Sequence, residues 1–472
     1  MIRIGLAPFT AAWFGDAGCD VVRLVKEGLA PFCSFLEKHG EVTQSEVITD
    51  ERAALKAADE FISRSVDVAI VAVPAWSEDG PIVAFVRSMK DVPVWIVDMQ
   101  SYCNMPQDVL KQDVFFAHTE VVGLLEANAA IRRSCSRKVD LLRWHDSPSD
   151  EPDDLANALR AFSAIRAMQG ARIGLLEGRT ESIKCCAVDE LALSKFLGCT
   201  LDHLSLDELA SAASGVTDKA CGAYIDSMQS VIRTPAPTLR SEAATESARL
   251  AIALEGMCKA RKLDALAFDD LSVRLHERFG LRPCLICRSI LSHFPPISWE
   301  GDVVAAASML LLEKISGPPT GVFEPFFLHR DGKSVLFGHA GGCDSRLGQP
   351  GESVIETDLE YARSQDRFPG SPSVMVTGAA GTVTMLNLRI DACGGKGMIL
   401  RGEALPHKRA LPGYSEVLVQ FANAKTVIQQ CLAGDLHQHF VLCRSDVYGV
   451  LRALFERLSF PCSLIDHREG KA

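Results

Sequence analysis

The sequence lacks any apolar run of membrane-spanning length. Its longest apolar stretch, residues 303–312, falls far short of the roughly 20 residues a helix needs to cross a bilayer. It also lacks a Lys/Arg run that would track a phosphate backbone, and 49 basic against 60 acidic residues leave a formal net charge of −11. Neither membrane nor nucleic acid is an expected partner. No charged-then-apolar leader precedes Met1-Ile2-Arg3-Ile4-Gly5-Leu6, which opens directly into a strand-like segment, so a cytoplasmic protein is expected. There is no internal repeat and no low-complexity tract. Cys284-x-x-Cys287 has no second pair or His pair to complete a zinc site, and packing is its expected role. The other cysteines of the 16 are scattered, and Cys33, Cys186, Cys258 and Cys443 sit inside apolar periodic segments. They read as buried thiols rather than a disulfide framework.

What is present is ordinary globular composition, 47% hydrophobic and 23% charged, over 472 residues. That length exceeds one core, so two or three packed units are expected. The first third alternates strand and helix signals: a strand near Arg3, a helix over 20–39, a strand over 45–49 and a helix over 52–65. The β-rich run Val66-Asp67-Val68-Ala69-Ile70-Val71-Ala72-Val73 has the continuity of a parallel strand covered on both faces. A strand over 92–97, one long helix over 115–133 and a strand over 138–143 complete this unit. An acidic segment at 146–152 opens a linking helix to 168. The same grammar then restarts with strands over 171–176, 200–204 and 263–268 and helices over 188–197, 241–261 and 302–315. Beyond Gly317-Pro318-Pro319 it changes to Val/Phe/Thr-rich segments punctuated by glycines, with a closing helix over 446–458. The expected fold is therefore α/β. Two doubly wound parallel-sheet (Rossmann-like) domains, 1–168 and 169–320, precede an antiparallel β-rich or barrel domain, 321–472.

One hairpin can be read in register. Asp331-Gly332 separates Glu324-Pro325-Phe326-Phe327-Leu328-His329-Arg330 from Lys333-Ser334-Val335-Leu336-Phe337-Gly338-His339, which predicts a two-residue turn. With Arg330 facing Lys333, Glu324 falls opposite His339, close enough for a carboxylate and an imidazole to share a divalent ion. An ordinary cross-strand pair is the plain alternative. Glu300-Gly301-Asp302 stands at the start of an apolar helix, where the helix dipole favours carboxylates. His437-Gln438-His439 precedes an apolar strand, and two imidazoles two residues apart share a face.

Four segments carry a resemblance. Trp299-Glu300-Gly301-Asp302-Val303 with the apolar helix behind it resembles a segment of the L-fucose/L-arabinose isomerase superfamily. Gly280-Leu281-Arg282-Pro283-Cys284 resembles the stretch upstream of it in fucose-isomerase-like members. Val335-Leu336-Phe337-Gly338-His339 and His439-Phe440-Val441-Leu442 resemble the two later segments that carry metal-binding histidines. The segments occur in the superfamily's order. The resemblance implies Glu300, Glu324, His339 and His439 as ligands of a divalent ion, Mn2+ above all. It further implies Glu300 and Glu324 as the acid/base pair of an aldose–ketose isomerisation through a cis-enediolate, with an L-fucose/L-arabinose-like sugar as substrate. A homo-oligomer, trimeric or hexameric, is implied as well. Hard carboxylate oxygens with imidazoles suit manganese.

The chain departs from the superfamily at Phe323-Glu324-Pro325 and at Gln438, which stands where arabinose isomerases carry a second histidine. Two other readings of the scaffold stay open: a metal-dependent lyase or hydrolase of a keto-sugar acid or its phosphate, and a catalytically silent sugar-binding homologue. Further substrate-binding candidates are Trp76 after the 66–73 strand, His118 at the start of the 115–133 helix, Asp269 at the end of the 263–268 strand, His437, and Arg346 in the glycine-rich loop after His339. Trp76 reads otherwise as a loop anchor, His118 as a solvated or capping residue, and the Arg346 loop as a turn.

Overall fold

The computed structural model describes residues 1–14, 20–99, 111–117, 119–135, 139–144, 154–232, 239–349, 351–357, 367–368 and 371–467. Residue contacts divide the chain into two compact units, 1–166 and 167–472. In the first, strands β1 (Ile2–Pro8), β2 (Gly40–Gln44), β3 (Val68–Ala72), β4 (Val94–Asp98) and β5 (Asp140–Arg143) form a parallel sheet in the order β2-β1-β3-β4-β5. The helices are α1 (Val21–Glu37), α2 (Glu51–Ser63), α3 (Asp79–Ser88), α4 (Gln112–Ala117), α5 (Glu120–Ser134) and α6 (Asp154–Met168). Val25, Leu29 and Phe32 of α1 and Leu155 and Leu159 of α6 pack with Ile4, Ile70 and Val97. Phe61 of α2, Phe85 of α3 and Leu124 and Ile131 of α5 pack with Ala69, Val71 and Ile96. Neighbouring residues of each strand thus enter different cores, and β3 shows no polar alternation because both of its faces are covered.

Two local expectations are corrected. The strand expected over 45–49 lies earlier, at β2, because residues 40–44 pair with β1 while Ile48 makes only an isolated bridge to Phe9. The single helix expected over 115–133 is two helices, since Thr119 precedes α5 with non-helical backbone (φ −111°, ψ 19°).

The second unit opens with a smaller parallel sheet, β6 (Arg172–Leu176), β7 (Thr200–Leu204), β8 (Ala265–Phe268) and β9 (Ile297–Ser298), in the order β7-β6-β8-β9. Its helices are α7 (Glu190–Leu197), α8 (Leu206–Ser214), α9 (Asp218–Gln229), α10 (Glu242–Arg261), α11 (Val273–Phe279) and α12 (Val303–Ser316). Helices α8, α9 and α11 are short and were not anticipated. The capping box of Ser205 and Glu208 that starts α8 was a readable signal.

The β-rich end is a closed antiparallel barrel. The remaining strands are β10 (Thr320–Leu328), β11 (Ser334–His339), β12 (Val354–Thr357), β13 (Pro372–Met375), β14 (Gly381–Asp391), β15 (Gly394–Leu405), β16 (Ser415–Gln420), β17 (Phe440–Cys443) and β18 (Cys462–Asp466). The ring runs β14-β17-β10-β11-β16-β15 and closes from β15 back to β14, with β18 added parallel to β15. β12 and β13 form a separate ribbon. Helix α13 (Ala424–Ala433), also unanticipated, and α14 (Tyr448–Leu458) complete the unit. Phe337, Met385, Met398, Val419 and Phe440 belong to the barrel's apolar core.

Helix α12 ties sheet to barrel. It touches β8 and β9 as well as β10, β14 and β17, and its first ten residues are all buried. A helix buried on every side has no polar face, which is why this segment is the longest apolar run in the sequence. Its amino end, with Glu300-Gly301-Asp302, is thereby fixed against the barrel rim.

Candidate metal centre

The barrel brings Glu324, His339 and His439 together, and the start of α12 adds Glu300. His439 Nε2 is the common point. It lies 3.2 Å from Glu300 Oε2, 3.3 Å from His339 Nε2 and 3.8 Å from Glu324 Oε1. Bonds of about 2.1 Å to one ion place neighbouring ligand atoms about 3 Å apart, so these separations suit a shared cation. Glu324, His339 and His439 offer ligand atoms within 4.8 Å of one another, and so do Cys186, Glu300 and His439. Among the described residues the four residues of the sequence reading fall into two such sets, joined by His439.

The tautomers strengthen the case. His339 turns Nδ1 onto the carbonyl of Ala340, which requires the proton there and leaves Nε2 as a lone pair. His439 turns Nδ1 onto Asp302 Oδ2 at 2.8 Å, which likewise aims Nε2 into the cluster. Burial first, and then the neighbouring His439, push His339 down to about 4, so it is neutral at pH 7. Burial opposes charge on His439, but its hydrogen bonds to Asp302, Cys186 and Glu300 raise it well above the ordinary histidine value. Glu300 is also opposed by burial, yet the two imidazoles and Arg282 hold it below the usual carboxylate range. Two imidazole Nε2 atoms and two carboxylates form a donor set that a divalent ion fits.

Asp302 was read in the sequence only as a helix-start residue, and the structure gives it a second task. Its Oδ1 caps α12 by accepting from the Ala305 amide at 2.8 Å, while Oδ2 accepts from His439. Burial opposes its charge, but His437 and His439 hold its carboxyl far below the usual range. A carboxylate behind a metal-facing histidine fixes the ring and raises its basicity. His437 is a supporting neighbour: its Nε2 donates to the Leu388 carbonyl at 3.2 Å and its Nδ1 accepts from the His439 amide at 3.2 Å. Burial lowers its pKa despite Asp302. Gln438, between them, points Nε2 toward Glu300 Oε2 at 3.4 Å.

The hairpin register needs correction. Near the turn, Leu328 faces Val335 and Phe327 faces Leu336 as expected, but a bulge between Pro325 and Phe327 slips the ladder by one. Glu324 therefore faces Gly338 rather than His339. The turn is also longer than two residues: Asp331 Oδ1 accepts from the Lys333 and Ser334 amides, and the bond from His329 N to Ser334 O closes the ladder. Glu324 reaches the centre by a different pairing. β10 meets β17 at Phe323–Phe440, and one step along that register lies His439.

Glu300 has a left-handed backbone, φ +62°, followed by Gly301 at φ +68°. Such a conformation costs a non-glycine residue about 1–3 kcal/mol and persists only where surroundings impose it. At Gly301 a Cβ would lie 2.2 Å from the Gly178 carbonyl oxygen, so only glycine fits. Asp269, expected to bind substrate, accepts from Thr180 Oγ1, and burial pushes it up to about 6. Arg346 donates to both carboxylate oxygens of Asp344, 2.9 and 2.6 Å away. Trp76 lies in the first unit, with its ring 5.5 Å from Trp13 and 6.2 Å from Phe14. His118 lies outside the described residues. Cys284 and Cys287 are buried in an apolar core, and the described cysteines are free thiols. No helix among the described residues is long and apolar enough to cross a membrane.

No family model matches the chain. Over 329 residues it is 22% identical to a sulfoquinovose isomerase of Priestia aryabhattai, an alignment covering 65% of this chain and 70% of that protein. The same values hold for a sulfoquinovose isomerase of Priestia megaterium. A third protein of that name, from a Clostridium species, is 24% identical over 277 residues, covering 58% of this chain and 59% of its own length. Among solved structures, a periplasmic solute-binding protein of Actinobacillus succinogenes with bound D-allose covers 68% of this chain and 93% of its own at 12% identity. Its TM-score of 0.17 is too low to bear on fold or ligand. The chain is thus a distant homologue of proteins named as sugar isomerases.

Proposed function

We propose that this chain is a metal-dependent aldose–ketose isomerase that moves hydrogen between C2 and C1 of a sugar through a cis-enediolate. The observation that carries the reading is His439 Nε2, aimed by Asp302 into a cluster with Glu300, His339 and Glu324 at 3.2–3.8 Å. Glu300, Glu324, His339 and His439 would hold a divalent ion, Mn2+ first. When bound, that ion supplies a Lewis acid for the sugar's carbonyl and hydroxyl oxygens.

The protein's own groups handle the protons. Glu300, held below the usual carboxylate range, would accept the proton from C2 and return it at C1. Glu324, less buried with its side chain 23% exposed, would pass a proton between O2 and O1. Two carboxylates are needed because one proton travels between carbons and another between oxygens. Asp302 keeps the His439 ring fixed throughout.

The names of the relatives make sulfoquinovose the first sugar to try. L-Fucose and L-arabinose, which the superfamily resemblance brings in, are the comparators. The keto-sugar-acid alternative draws less support, because Arg346, the candidate cation for an acidic group in the loop after His339, is already engaged by Asp344. We further take the protein to be a cytoplasmic homo-oligomer, trimeric or hexameric, built from three sequence modules. The test is metal analysis followed by a sugar panel in excess Mn2+. Ketose formation that EDTA abolishes and Mn2+ restores supports the proposal. Sugar binding in metal-free protein with no ketose product, unchanged in Glu300→Gln, would favour a silent binding protein.

A further inference from the structure

The carboxyl end of β8 grips the Glu300 turn at three consecutive residues. The Phe268 carbonyl accepts from the Gly301 amide at 3.0 Å. Asp269 accepts from the Thr180 hydroxyl, and the Thr180 amide donates to the Glu300 carbonyl at 3.0 Å. Asp270 Oδ1 accepts from the Glu300 amide itself at 2.8 Å. Glu300, the residue with φ +62°, thus has its N–H held by Asp270 directly and its C=O held by the Thr180 amide, whose side chain Asp269 holds in turn. Asp270 is fully buried, and its other oxygen accepts from Arg282 Nε at 2.6 Å, so Arg282 is its buried counter-ion. Both carboxylate oxygens of Asp270 are thus engaged as acceptors, one by the Glu300 amide and the other by Arg282.

We infer that Asp270 is a positioning residue: its Oδ1, held in place by Arg282, imposes the left-handed backbone that points the Glu300 carboxylate at His439. The inference rests on the metal-isomerase reading of Glu300. It gives a role to the second aspartate of the Asp269-Asp270 pair that ends an otherwise apolar buried strand. An aspartate offers a rigid, short acceptor within reach of a backbone N–H. Arg282 sits in the Gly280-Leu281-Arg282-Pro283-Cys284 stretch, which thereby gains a physical connection to Glu300.

The test compares two double variants that both lack the ion pair. Asp270→Asn/Arg282→Met keeps an oxygen acceptor for the Glu300 amide, and Asp270→Ala/Arg282→Met does not. Mn2+ affinity, measured by calorimetry with the metal alone, is expected to be at least tenfold weaker in the Ala form than in the Asn form. With an active sugar, kcat is expected to fall at least tenfold in the Ala form while KM stays within about twofold. Equal behaviour of the two forms overturns the inference, because loss of the ion pair alone affects both. Amide hydrogen exchange in the unaltered protein supplies a check that needs no variant: slow exchange at the Glu300 amide supports the inference, and exchange at the rate of an open loop overturns it. Glu300→Gln separates this inference from its parent. If that change weakens Mn2+ binding and the Ala form does not, only the role of Asp270 falls. If Glu300→Gln leaves Mn2+ binding unaltered, the metal reading of Glu300 falls and takes the inference with it.

Discussion

At the scale of single residues the centre depends on His439 and on what stands behind it. His439→Ala is expected to abolish stoichiometric Mn2+ binding and turnover together, which metal analysis of the purified variant checks. Asp302→Asn leaves a cap for α12 but removes the charge that orients the His439 ring, so Mn2+ affinity is expected to fall about 10–100-fold. Near-unchanged melting would separate that effect from loss of the helix cap. Away from the site, Glu120 at the start of α5 is buried, and burial with help from Asp98 pushes it up to about 7. A carboxyl raised in the folded state adds stability below its unfolded value and loses that contribution as pH rises through about 7. Glu120→Gln is accordingly expected to be more stable than the parent at pH 8, by about 3 kcal/mol at most, with the gain shrinking toward pH 5; urea unfolding at the two pH values checks this. Motif and order in the sequence named Glu300, Glu324, His339 and His439, and the structure brings these four side chains together. Asp302, Asp270 and Thr180 were not recognised as supports, because a carboxylate or hydroxyl that holds a backbone or a ring leaves no spacing signature.

At the scale of elements, α12 and the β10–β11 hairpin carry the argument. Leu311 is fully buried in a helix covered on all sides, and Leu311→Ala is expected to cost about 2–5 kcal/mol in urea unfolding. The existence of α12 was plain from its apolar run and the Gly317 stop, and the strand at 68–72 was plain from its unbroken Val/Ile/Ala pattern. The hairpin shows what a local pattern leaves open. Counting residues outward from Asp331-Gly332 gave the pairs nearest the turn, but the bulge between Pro325 and Phe327 moved Glu324 to Gly338. A bulge depends on how the strand must bend to join its other neighbour, and that neighbour, β17, lies more than a hundred residues away in sequence. The short helices α8 and α9 escaped notice for a different reason: small residues dilute their apolar stripe, and their ends are marked mainly by the caps Ser205 and Thr217.

At the scale of the whole molecule, alternating strand and helix signals were enough to anticipate parallel sheets followed by a β-rich end. They left an open β-rich sheet and a closed barrel as alternatives, since closure depends on β17 fitting between β10 and β14 and on the β14–β15 pairing that completes the ring. Such non-local pairings are set by packing and leave no mark in a local window. The proposed assembly predicts that light scattering on the purified protein returns a trimer or hexamer of the 472-residue chain; a monomer would remove that part of the reading. The decisive experiment is anomalous diffraction from a crystal soaked in Mn2+. One peak per chain is expected within bonding distance of the Glu300 and Glu324 carboxylates and the Nε2 atoms of His339 and His439, lost in His439→Ala. A peak bound elsewhere, or none at these four side chains, would contradict the proposed metal centre.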